Sequence, residues 1–124
     1  LREVRHCGRV GVVGYCMGGA LAIAAAARLP DLSAASCFYG IPPKELADPA
    51  RIAIPFQGHF ADLDDWCTPE KVDALQVAMK VPAEFHRYHA QHAFFNNSRP
   101  EVYDATAAQT AWDRTLEFFA RTLR

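Results

Sequence analysis

The sequence predicts an α/β fold, a mainly parallel sheet of about four strands with helices on both faces. Three observations lead there. Short apolar runs alternate with helix-like segments four times along the chain, the pattern of successive strand–helix units. The first run, Val10-Gly11-Val12-Val13, is apolar on both sides, as a strand covered on both faces should be. The residues best suited to chemistry fall just past the ends of such runs, where open α/β sheets place their ligands.

The first unit is a strand over Arg9–Gly14, then a helix from about Met17 to Leu29 that Pro30 ends. The second is a strand over Ala34–Tyr39, followed by the turn Gly40-Ile41-Pro42-Pro43 and a short helix over Lys44 to Ala47. The third is a strand over Ile52–Gln57, leading through Gly58 into a polar loop from His59 to Thr68. Thr68-Pro69-Glu70 begins a helix well, with Thr as the cap and Pro in the first helical position. That helix runs to about Met79. The fourth strand is Ala83–Tyr88, and a closing helix runs from about Tyr103 to Leu123. Its apolar residues Ala105, Ala108, Trp112, Leu116, Phe119 and Leu123 recur every three or four positions.

The 124 residues suffice for one domain with one core. Thirteen basic and 14 acidic side chains give a net charge of −1, so neither a nucleic-acid surface nor a membrane surface is expected. The longest apolar stretch, Ala20 to Ala27, is too short to span a bilayer, and Leu1 to His6 lacks the apolar core of a secretory signal. The chain opens on Leu1 rather than Met, which suggests that it is trimmed or excised from something longer. Cys7, Cys16, Cys37 and Cys67 form no Cys-x-x-Cys pair and no zinc pattern. Free thiols in a reducing cytoplasm are the simplest reading, with Cys37 a small core residue and Cys7 inert. No metal and no organic cofactor is expected.

Gly14-Tyr15-Cys16-Met17-Gly18-Gly19 joins the first strand directly to the first helix. A Gly-x-nucleophile-x-Gly turn in that context presents a nucleophile on a sharp bend, here a thiol. Such a residue supports acyl transfer through a covalent intermediate. The partial positive charge of the helix start is expected to lower the Cys16 pKa, and the Met17 N–H is expected to face the developing oxyanion. Gly14 and Gly18 leave room for the turn, and Gly19 lets helix and strand approach. His92, on the loop after the fourth strand, is the base, with His89 the competing candidate. The acid comes from Asp62, Asp64 or Asp65, and Asp65 is preferred for its distance from Thr68-Pro69.

These segments, with Asp65-Trp66-Cys67-Thr68-Pro69 and His92-Ala93-Phe94-Phe95-Asn96, resemble the dienelactone hydrolase family, α/β hydrolases with a cysteine nucleophile. The stretches Arg99 to Asp104 and Ala111 to Leu116 are similar as well. The order Cys16, Asp65, His92 is that of the fold family. In the family the acid precedes a proline by four positions, which selects Asp65. A small residue and then Phe follow the histidine, which selects His92 over His89. The resemblance implies a truncated α/β-hydrolase fold matching the carboxyl-terminal half of the family. It also implies hydrolysis of small esters, thioesters or lactones by a Cys-His-Asp triad. Gln91 stands where the family has Gly, and Asn96 stands where well-known members carry an Arg that holds a substrate carboxylate; Arg99 is nearby but out of register. Without the amino-terminal strands, the loop giving a second oxyanion N–H is missing and one edge of Arg9–Gly14 is bare. That edge predicts a homodimer, or a partner protein supplying the other half. A second functional reading is a half-domain without a substrate pocket, acting as a dimeric binding or scaffold module. A third is a redox-sensing thiol, which would need a resolving cysteine near Cys16; the sequence does not show that Cys67 comes close.

Overall fold

The computed structural model describes residues 8–124; Cys7 and His6 lie outside the described residues. Four parallel strands form one sheet in the order β1-β2-β3-β4, with β1 Gly11–Tyr15, β2 Ala34–Phe38, β3 Phe56–Ala61 and β4 Ala83–Tyr88. Three helices connect and close it: α1 Met17–Arg28, α2 Pro69–Ala78 and α3 Ala105–Thr122. Alternate strand residues point to opposite faces, and each face has its own apolar cluster. On one face Ala35, Cys37, Phe56 and Phe60 pack with Ile23 of α1 and with Val72 and Leu75 of α2. On the other, Phe38, Ala61 and Tyr88 pack with Ala107 and Ala111 of α3. The expected fold class therefore holds, helices on both faces included.

Two helices start as their sequences require. The Thr68 hydroxyl accepts from Lys71 N with Pro69 at the first position, and Asp104 accepts from Ala107 N. Among the described residues β1 lies at an edge of the sheet, in line with the bare edge expected of it, but Val13 is 39% exposed, so the strand is not covered on both faces.

The third strand begins later than Ile52. Asp48 caps a 3-10 turn over Pro49–Arg51, and Ile52 closes that turn by donating its N–H to the Pro49 carbonyl. Ile52 thus enters the core from a turn, and pairing with β2 and β4 starts after Pro55. His59 consequently lies inside β3, fully buried, instead of in a polar loop. Its burial is supported by a chain of hydrogen bonds. Arg114 donates to the Tyr88 oxygen at 3.2 Å, and Tyr88 O–H donates to His59 Nδ1 at 2.8 Å. His59 Nε2–H then donates to Gln57 Oε1 at 2.8 Å. The expected helix over Lys44 to Ala47 is only a turn, in which the Pro43 carbonyl accepts from Leu46 N and Ala47 N.

Candidate active site

Cys16 sits where β1 gives way to α1, with φ 57° and ψ −122°. A non-glycine residue in that region is strained, and such strain concentrates at functional sites. Two glycines make the bend possible. A Cβ on Gly14 would overlap the Gly18 carbonyl, and a Cβ on Gly40 would overlap the Cys16 carbonyl. Gly19 brings α1 onto β2, since a Cβ there would stand 2.5 Å from the Phe38 oxygen. Gly18 has open space around its Cα, so its expected steric role in the turn is not needed.

The loops after β3 and β4 are laced together. Asp62 N donates to the Tyr88 carbonyl and Leu63 N to the Ala90 carbonyl. This pairing carries the two loops to one place above the sheet. His92 Nε2 lies 3.1 Å from Cys16 Sγ, and His92 Nδ1 lies 2.7 Å from Asp64 Oδ2. The network assigns the tautomer: Nδ1–H donates to the carboxylate, leaving Nε2 to accept the thiol proton.

The sequence choice of acid is corrected here. Asp64, not Asp65, meets His92; Asp64 is 3% exposed, whereas Asp65 and Asp62 face solvent. The reason is local. Asp64 Oδ1 accepts from Trp66 N at 2.7 Å and from Cys67 N at 2.9 Å, so its side chain folds inward over the turn. That leaves Oδ2 for His92 and turns the next residue outward. Burial alone would raise the Asp64 pKa, but the hydrogen bonds from His92, Cys67 and Trp66 outweigh it and hold the carboxyl below its usual range. His89, the competing histidine, is exposed.

The Cys16 thiol is not the low-pKa group expected from its helix position. Burial pushes it up first, and the Asp64 charge pushes it further; Arg99 and the Met17 N–H work in the opposite direction without prevailing. The Met17 N–H is directed at the sulfur in the resting site, while its side chain stands 77% exposed.

A cavity of about 670 Å³ opens beside Cys16 and His92, walled by Met17, Ile41, Pro42 and Trp66. Lys71 and Arg99 also line it. Arg99, out of register in the sequence, reaches the site through the fold of its loop. Trp66, whose ring centroid lies 6.2 Å from that of His92, was missed from sequence, although its position two residues after the acid could have marked it. Cys67 lines the same cavity but is 6% exposed, and burial pushes its thiol up to about 12. Among the described residues, no group of three or more His, Cys, Asp or Glu side chains is placed to hold a metal. No helix among them is long and apolar enough to cross a membrane.

The family model described as "Dienelactone hydrolase family" matches residues 1–123. Protein usf of Aquifex pyrophilus is 36% identical over 99% of this chain and 56% of its own length. Carboxymethylenebutenolidase 1 of Cupriavidus pinatubonensis is 38% identical over 91% of this chain and 49% of its own. The chain thus spans about half the length of the curated relatives it matches. Among solved structures, a dienelactone hydrolase-like promiscuous phosphotriesterase from metagenomic libraries superposes with TM-score 0.81 at 25% identity, covering 94% of this chain and 54% of that one. An esterase of Pyrococcus furiosus shares the fold with TM-score 0.77 at 14% identity, over 100% of this chain and 58% of that one. With the strand–bend–helix geometry at Cys16, these matches establish that the chain belongs to the dienelactone hydrolase family.

Proposed function

We propose that the chain hydrolyses small carboxylic esters, thioesters or lactones through Cys16, His92 and Asp64. The observation that carries this reading is the unbroken contact from Cys16 Sγ through the two His92 nitrogens to Asp64 Oδ2. As the sulfur attacks the substrate carbonyl carbon, its proton passes to His92 Nε2. The carbonyl oxygen takes up the negative charge, facing the Met17 N–H. The carbon–oxygen bond to the leaving group then breaks, and Nε2 returns the proton to the departing oxygen. Water, deprotonated by the same nitrogen, attacks the thioester and releases the acid and the thiol. Asp64 holds the ring orientation and favours the imidazolium formed in between. Because burial and the Asp64 charge push the Cys16 thiol pKa up, activation depends on His92 accepting the proton during attack.

The cavity of about 670 Å³ beside the sulfur supports an enzyme over a scaffold module lacking a substrate pocket. Arg99 and Lys71 on its wall suit a substrate that carries a carboxylate. Hydrolysis of 4-nitrophenyl acetate by the purified chain tests the reading: Cys16→Ala should abolish turnover while leaving the circular dichroism spectrum unchanged. Undiminished turnover in that variant refutes it.

The edge of β1 is the expected site of self-association. Its outer side makes no pairing among the described residues, and an unpaired edge is a template for another strand. A second copy, related by a two-fold axis, is the proposed occupant, and sedimentation should give the mass of two chains. A cytoplasmic setting fits the free thiols of Cys16, Cys37 and Cys67.

A further inference from the structure

Cys16 lines two clefts rather than one. The first is the cavity already described, lined by Met17, Ile41, Pro42, Trp66 and His92. The second, about 460 Å³, shares Cys16 and Tyr39 with the first and is lined by Tyr15, Ala93, Phe95 and Asn97, but not by His92. It shares Tyr15, Phe95 and Asn97 with a further hollow of about 330 Å³ that reaches Tyr103 and Trp112. The ring centroids of Tyr15 and Phe95 are 5.2 Å apart, and those of Phe95 and Trp112 are 6.1 Å apart, so an aromatic groove leads away from the sulfur.

We propose that the two clefts divide the substrate: the leaving group occupies the Trp66 cleft, and the acyl group lies in the groove from Tyr15 and Phe95 toward Trp112. The inference rests on the reading of Cys16 as nucleophile. Its reason is the position of one proton. His92 Nε2, after taking the thiol proton, must deliver it to the leaving oxygen. His92 borders the first cleft alone, so the leaving oxygen departs on that side of the sulfur. The acyl carbon stays bonded to sulfur, and its chain extends the other way.

Each cleft has its own chemistry. Trp66, Ile41 and Pro42 form an apolar wall suited to an aryl or other flat alcohol part. The groove is walled by rings and ends at the half-exposed Tyr103 and Trp112, which suits a linear apolar acyl chain several carbons long. Trp66 becomes the specificity-determining residue for the alcohol part. Its side chain is 74% exposed, and only its backbone N–H is used to hold Asp64, so it can be replaced without disturbing the acid.

The two tryptophans of the chain report one cleft each, which gives a test independent of turnover. In the full chain, 4-nitrophenol should shift the Trp66 indole N–H resonance and the uncharged hexanamide that of Trp112, with Trp66→Phe assigning the signals. In kinetics, Trp66→Ala should lower the ratio of kcat/KM for phenyl over ethyl acetate roughly three- to tenfold. It should leave the ratio of 4-nitrophenyl hexanoate to acetate unchanged. Asn97→Trp, which narrows the groove, should do the reverse. A hexanamide-induced shift at Trp66, or a change in acyl-chain preference in Trp66→Ala, overturns the division even when turnover still depends on Cys16. Turnover that survives Cys16→Ala fails the underlying reading instead.

Discussion

His92 Nδ1 lies 2.7 Å from Asp64 Oδ2, while the adjacent Asp65 faces solvent. The pairing fixes which aspartate holds the imidazole, and it separates two single substitutions one residue apart. Asp64→Asn should lower kcat for ester hydrolysis roughly 10²- to 10⁴-fold, because the amide cannot hold the same tautomer or stabilise the imidazolium. Asp65→Asn should leave kcat within about twofold and stability within about 0.5 kcal/mol, as for other exposed positions. Steady-state rates for the two variants decide between the carboxylates.

The Cys16 thiol should resist alkylation at neutral pH. Burial and the Asp64 charge both favour its protonated form, so the rate with iodoacetamide should rise with a midpoint above the ordinary thiol value of 9.0. Arg99 pulls the other way, and Arg99→Gln should move the midpoint higher still. A rate–pH profile with a midpoint well below 9.0 contradicts this account of the resting site.

How much of this was legible in the sequence depends on what each residue's role required. The bend at Cys16 was, because glycines before and after a nucleophile between a strand and a helix have few other uses. The structure brings His92 beside that bend from a loop that follows a strand with a clear apolar pattern. The choice of Asp65 over Asp64 failed because spacing to Thr68-Pro69 does not report which way a side chain turns. That direction is set by two backbone N–H groups, of Trp66 and Cys67, converging on Asp64 Oδ1. The third strand was placed early for a related reason. Gln57 and His59 look like loop residues until Tyr88 and Arg114, far along the chain, satisfy them. The alternation Phe56, Gly58, Phe60 on one side and Gln57, His59, Ala61 on the other was the available signal.

His59 should make the fold sensitive to mild acid. Burial lowers its pKa first, helped by His86 and Arg114, to about 3, against 6.5 when unfolded. Between those values the unfolded chain takes up a proton that the folded chain excludes. Stability from this group is therefore complete above pH 6.5 and falls as pH drops toward 3, by an amount on the order of a few kcal/mol. Urea unfolding of the native chain and of His59→Gln across that window should show a steeper decline in the native chain. Parallel slopes contradict the assignment.

Ser36 offers a stabilising change. Its hydroxyl oxygen is fully buried in β2 and has no hydrogen-bond partner among the described residues. An unsatisfied buried hydroxyl is unfavourable, and Ala fits the same strand position. Ser36→Ala should raise the free energy of unfolding by about 1 kcal/mol, read from the urea midpoint at unchanged slope.

With Cys16 as the proposed nucleophile, an acyl group passes through its sulfur. Quenching the reaction with 4-nitrophenyl acetate in the first turnovers, followed by peptide mass mapping, reads that event directly. The account requires one acetyl group on the peptide carrying Cys16 and none on the same peptide from Cys16→Ala. Steady hydrolysis with an unmodified Cys16, or with the acetyl group carried elsewhere, would contradict it.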